Sequence, residues 1–198
     1  CGASAPEKNF VSLFAAAHPD TAVYNCGVGG TRIAPQKTPF SPACAHPFYS
    51  RVSAMPERAD LVCVFGGTND FGHGDAPIGK FTDNTVYTFY GALHVLYRQL
   101  LERFPEKDII VLTPLHRLSE NVTINERGIP CEPLKKYVEA IREVAEYYSL
   151  PVLDLWKMSG MQPSVDVIRE KYMPDGLHPS DLGAAKIADK LRDFLISL

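Results

Sequence analysis

Leu61-Val62-Cys63-Val64-Phe65 runs straight into Gly66-Gly67-Thr68-Asn69-Asp70. Five apolar residues without alternation mark a strand buried on both faces, as inside a parallel sheet. Working outward, Ile109-Ile110-Val111-Leu112 is a second such run, and Val152-Leu153-Asp154-Leu155 reads as the last strand. A shorter strand carrying Val23 and Tyr24 is expected over residues 21–26, followed by the glycine turn Gly27-Val28-Gly29-Gly30.

Helical stripes separate these runs. Ser4-Ala5-Pro6-Glu7 reads as a capping box before Phe10, Leu13, Phe14 and Ala17, with His18-Pro19 as the stop. Phe89, Leu93, Leu96, Tyr97, Leu100 and Leu101 line a long helix closed by Phe104-Pro105. Leu134, Val138, Ile141 and Ala145 line the next, and another is expected around residues 164–171. Ser180 caps the last, which buries Ala184, Ile187, Leu191 and Leu195. Residues 33–56, 71–77 and 114–130 read as loops, the first with a short helix near residues 49–55. Strands alternating with helices give an α/β fold with a doubly wound parallel sheet. Chemistry in such a fold lies on the loops beyond the carboxyl ends of the strands.

The chain has 198 residues, which suits a single domain over residues 1–198. Its 45% hydrophobic and 22% charged content is that of a globular protein. A formal net charge of −3 gives no electrostatic case for nucleic acid, and no apolar run reaches membrane-span length. The five cysteines are scattered, with no C-x-x-C pair, and Cys26 and Cys63 fall inside expected strands as small hydrophobes. That pattern favours a reducing compartment, so the expectation is cytoplasmic. The start, without Met or a leader-like segment, reads as internal to a longer chain, which leaves a signal peptide open.

Asp175-Gly176-Leu177-His178-Pro179 places an Asp and a His three apart in a loop held by Gly176 and Pro179. A His that takes a proton from a nucleophile needs a carboxylate behind it to fix its tautomer and stabilise the imidazolium. A surface turn before the last helix is the bland alternative. Asn69, just past a buried strand, can offer its amide beside the Gly30 N–H to an oxyanion, and one such donor is typically worth ~3–4 kcal/mol. Alternatively Asn69 and Asp70 form a turn or cap, and Gly30 a tight strand-to-loop turn. Gly27-x-Gly29-Gly30 lacks the full dinucleotide fingerprint, and no His, Asp or Glu set has metal-ligand spacing. No cofactor or metal is expected.

Asn25-Cys26-Gly27-Val28-Gly29-Gly30, Gly67-Thr68-Asn69-Asp70 and Asp175-Gly176-Leu177-His178-Pro179 resemble, in order and separation, the glycine, G-x-N-D and D-x-x-H-P blocks of the SGNH (GDSL-like) hydrolases. The resemblance covers essentially the whole chain. It implies a flavodoxin-like three-layer α/β/α fold with strand order 2-1-3-4-5. His178 would be the general base, Asp175 its orienting acid, and Gly30 and Asn69 the oxyanion donors. The implied activity is carboxylic-ester hydrolysis through a Ser acyl-enzyme.

The family's G-D-S block, which supplies that Ser, has no counterpart here. Either the nucleophile lies just ahead of Cys1, or the domain is degenerate and used for binding. Without the first strand of the family's order, its neighbours would stand about 9–10 Å apart with unpaired backbone between them. That favours a strand ending in G-D-S ahead of Cys1. Ser4 is set aside as a substitute nucleophile because capping accounts for it, and Cys1 ranks lower. The polar loops carry Phe40, Phe48, Tyr49 and Phe71 but no broad apolar stripe. The expected substrate is therefore a small ester, such as an acetylated carbohydrate, with a lysophospholipase or thioesterase as the enzymatic alternative. His73, His116 and His46 either touch substrate or sit on the surface, and His18 and His94 are structural. Arg32 pairs with a substrate carboxylate or sugar hydroxyl, or forms a surface salt bridge, the latter being the expectation.

Overall fold

The computed structural model describes residues 2–39 and 41–198; Cys1 and Phe40 lie outside the described residues. In chain order the elements are α1 (Phe10–Ala17), β1 (Leu61–Phe65), α2 (Thr68–His73), α3 (Phe89–Arg103) and β2 (Asp108–Leu112). There follow α4 (Leu134–Tyr147), β3 (Val152–Leu153), α5 (Leu155–Met158), α6 (Asp166–Tyr172) and α7 (Asp181–Ser197). Short 3-10 helices occupy Pro6–Lys8, Pro42–Ala45 and Phe48–Ala54. The chain forms two compact units, residues 28–114 with 120–152, and residues 1–27 with 115–119 and 153–198.

The larger unit is built on the sheet. β1 and β2 pair in parallel from Leu61 opposite Asp108 to Phe65 opposite Leu112. The order is β1-β2-β3, and the Val111 N–H donates to the Pro151 carbonyl at 2.9 Å. This is the 3-4-5 portion of the expected order, with β1 at an edge where a further strand was expected. Apolar spacing explains the helices: α4 buries Leu134, Val138, Ile141 and Ala145 on the face that meets α3. Phe89 and Phe71 each meet the Tyr137 ring edge-on, at 4.9 and 6.0 Å between centroids. Burying side chains of this size contributes about 1.5–3 kcal/mol each.

In the other unit α1 packs on α7. Asn9, not Ser4, caps α1: its Oδ1 accepts the Val11 and Ser12 N–H groups at 3.0 Å. The capping-box reading fails because Pro6–Lys8 winds as a 3-10 turn, which moves the helix start to Phe10.

Further expectations are corrected. Residues 21–26 join no ladder among the described residues, and Tyr24 and Cys26 are exposed. A strand needs a hydrogen-bonded neighbour, and β-rich composition alone does not supply one. β1 is not buried on both faces either. Its pleat sends Val62 and Val64 into the core and leaves Cys63 exposed. β3 ends at Leu153 because Asp154 turns the chain into α5, accepting the Lys157 N–H. Thr68–His73 is helical rather than loop, which puts Phe71 in the core and not on a pocket wall. No helix among the described residues is long and apolar enough to cross a membrane.

Candidate active site

The Asp175 loop joins α6 to α7 and is fastened at both ends. The Gly176 N–H donates to the Met173 carbonyl at 2.7 Å, and the Ser180 N–H to the Tyr172 carbonyl at 2.8 Å. The Leu118 N–H donates to the Gly176 carbonyl at 2.8 Å, tying residues 115–119 to the loop. Asp175 Oδ1 accepts the Leu177 and His178 N–H groups at 2.9 and 2.7 Å. That leaves Oδ2 for His178 Nδ1, also at 2.7 Å. A carboxylate against Nδ1 fixes that nitrogen as the donor and leaves Nε2 to accept a proton. Nε2 has no partner among the described residues. Burial alone would raise the Asp175 carboxyl, but the His178 side chain and the two N–H groups outweigh it and hold the group below its ordinary value. The two side chains that the sequence placed in one loop are therefore hydrogen-bonded to each other. His116 stands in the same unit, its ring tilted by 34° against that of Trp156 with centroids 3.8 Å apart.

The larger unit holds the glycine block and α2. The strand-to-helix turn needs Gly67, whose φ is +104°. A Cβ there would also stand 2.9 Å from Ile141 Cδ1. The turn brings Asn69 Nδ2 to the Thr31 carbonyl at 2.9 Å, which uses one of its two N–H bonds. The Gly30 N–H, in a turn at φ +75°, donates to no acceptor among the described residues. Gly30 and Asn69 are thus joined through Thr31.

Two carboxylates hold this arrangement; the sequence reading offered only a turn or cap for Asp70 and no role for Asp75. Asp70, 4% exposed, accepts the Ile33 and Ala34 N–H groups at 3.0 and 2.9 Å. Burial pushes its carboxyl up to about 7 against the pull of Ala34, Ile33 and Arg32. Asp75 Oδ2 accepts the Lys37 and Thr38 N–H groups, and Oδ1 pairs with Arg32 Nη1 at 3.3 Å. For Asp70 a signal existed, an acid beside Asn69 in the same block; for Asp75, on a separate loop, there was none.

Arg32 is corrected: its side chain is only 1% exposed, so its pair with Asp75 is buried and not a surface bridge. A partnerless guanidinium could not be buried there, since breaking such a pair costs about 3–5 kcal/mol. Its Nε and Nη2 have no hydrogen-bond partner among the described residues. Burial lowers its pKa, with Asp75 and Asp70 opposing. His73 is likewise buried and not on a surface loop. Burial pushes its ring down to about 4, and the Arg32 charge adds to the effect. His46 is exposed. His18 bonds the Phe14 carbonyl, and His94 the Phe81 carbonyl and the Tyr148 hydroxyl, as structural histidines do. Among the described residues no group of three or more His, Cys, Asp or Glu is placed to hold a metal.

No curated protein matches the chain. A solved structure from Lactobacillus plantarum is 30% identical, with 96% of this chain and 88% of that one covered and a TM-score of 0.81. A possible lipase from Chitinophaga pinensis is 20% identical, with 95% and 88% covered and a TM-score of 0.69. An acetyl xylan esterase is 18% identical, with 94% and 90% covered and a TM-score of 0.65. At these lower identities the likeness is one of fold. Residues 2–186 match the GDSL-like Lipase/Acylhydrolase family. With that match spanning nearly all of the chain, the protein belongs to the GDSL-like Lipase/Acylhydrolase family.

Proposed function

We propose that the protein is a serine esterase that cleaves small carboxylic esters through an acyl-enzyme. A Ser ahead of Gly2 attacks the ester carbonyl, and His178 Nε2 takes its proton. Asp175 orients His178 and stabilises the imidazolium. The Gly30 N–H and the second Asn69 amide N–H hold the oxyanion. His178 then returns the proton to the leaving alcohol, and water repeats the sequence to release the acid.

The observation that carries this reading is the 2.7 Å contact between His178 Nδ1 and Asp175 Oδ2, with Nε2 left without a partner. The Gly30 N–H and the spare Asn69 N–H support the oxyanion roles, and the edge position of β1 supports a further strand bearing the nucleophile. Ser4 is set aside in that place because its hydroxyl is directed to Asp181 and not to His178. A short acyl group, such as acetate on a carbohydrate, is favoured because Phe71 lies in the core and leaves the loops poorer in apolar surface. The acetyl xylan esterase of like fold points the same way.

His178→Ala is expected to abolish hydrolysis of p-nitrophenyl acetate while the far-UV circular dichroism stays unchanged. Retained hydrolysis in that variant sinks the assignment.

A further inference from the structure

Asp181 opens α7 three residues after His178, yet it does not cap the helix. Ser180 does so, its Oγ accepting the Gly183 N–H at 3.3 Å. The Asp181 carboxylate is given over to the N-terminal segment. Oδ1 accepts the Ser4 N–H at 2.8 Å, and Oδ2 accepts the Ser4 hydroxyl at 2.8 Å and the Lys8 ammonium at 2.9 Å. The Ser4 N–H, followed by the Lys8 and Ser4 side chains, holds the carboxyl down at about 2.

A second contact lies on the other side of Ser4. Gly2, at φ +83°, lies so close to the base's loop that a Cβ would stand 2.4 Å from the Pro179 carbonyl oxygen and 2.7 Å from His178 Cβ. The segment is therefore gripped twice, by Asp181 at Ser4 and Lys8 and by close approach to His178 and Pro179 at Gly2. Both grips belong to residues 178–181, the stretch that also carries the proton acceptor.

We infer that Asp181 is a positioning residue: it seats residues 2–8 on the His178 loop and so fixes the distance from His178 to the nucleophile. This rests on the proposed reading in which the nucleophilic Ser precedes Gly2. Hydrogen bonds within the loop set the tautomer of His178, but they do not set its distance from residues 2–8. Proton transfer demands hydrogen-bond reach between nucleophile and base.

The test is Asp181→Ala in the intact protein. It compares kcat and KM for p-nitrophenyl acetate, the rate of phosphonylation by a fluorophosphonate, and amide exchange of residues 3–8. A misplacement of about 1 Å costs on the order of a hundredfold in rate. Accordingly kcat and the phosphonylation rate are expected to fall together by roughly ten- to a hundredfold, with KM within about twofold. Exchange of residues 3–8 should rise in the same variant. Asp181→Asn keeps an acceptor for Ser4 but loses the ion pair with Lys8, and should fall between. Should Asp181→Ala fail to fold, Ser4→Ala combined with Lys8→Met carries the same expectation. Faster exchange with both rates unchanged overturns the inference, as does a fall in rate without faster exchange. A wild-type activity that depends on His178 but not on Asp181 overturns this inference alone, whereas activity retained in His178→Ala removes the reading beneath it.

Discussion

Asp175 accepts three hydrogen bonds from its own loop, and their geometry decides what His178 can do. With Nδ1 engaged, only Nε2 can accept a proton, so the short loop sets the tautomer without help from elsewhere. Asp70 and His73, both on α2, titrate in opposite senses. The Asp70 carboxyl is raised from 3.8 to about 7, so its contribution to stability is full below 3.8 and lost as pH rises through 7. The His73 ring is lowered from 6.5 to about 4, so its contribution is full above 6.5 and lost as pH falls through 4. Between pH 7 and pH 4 the two trends oppose each other. His73→Gln should remove one of them, and its unfolding free energy, relative to wild type, should rise on acidification across that range. Urea titrations at pH 4, 5.5 and 7 check this, and parallel profiles for the two proteins would contradict it.

At the scale of elements, Gly67 ties strand to helix. It ends the exit from β1 in the left-handed region and abuts Ile141, so Gly67→Ala faces both backbone strain and a clash. The expected cost is roughly 1–3 kcal/mol of stability. Hydrolysis should fall further than that loss explains, because α2 carries Asn69. Denaturant midpoints beside kcat for p-nitrophenyl acetate separate the two effects, and unchanged kcat in the folded variant argues against Asn69 as an oxyanion donor. The elements most legible in the sequence were those with strong patterns: β1, β2, α3, α4 and α7 occur where apolar runs and stripes placed them. What failed was local chemistry overridden by neighbours. Residues 21–26 lacked a pairing partner among the described residues, Ser4 was drawn to Asp181, and Asp154 started α5 where a strand was expected to continue. The Asp175–His178 pair was legible because both residues share one loop. Arg32 was misread because its partner Asp75 lies 43 residues away, and no sequence spacing reports such a contact.

At the scale of the whole molecule, Asp175 and His178 lie in one compact unit, and Gly30 and Asn69 lie in the other. A formal net charge of −3 leaves recognition of the ester to local groups rather than to long-range steering. Acetate esters are expected to be cleaved with higher kcat/KM than octanoate or palmitate esters, and a steady rise with acyl length would favour the lysophospholipase or thioesterase alternative. The central claim is that a serine ahead of Gly2 reacts with the help of His178. Trapping the intact protein with a fluorophosphonate and mapping the adduct by peptide mass spectrometry tests it most directly. The account expects a single phosphonylated serine on the N-terminal side of Gly2, lost in His178→Ala; an adduct on Ser4, or one that forms equally well without His178, would contradict it.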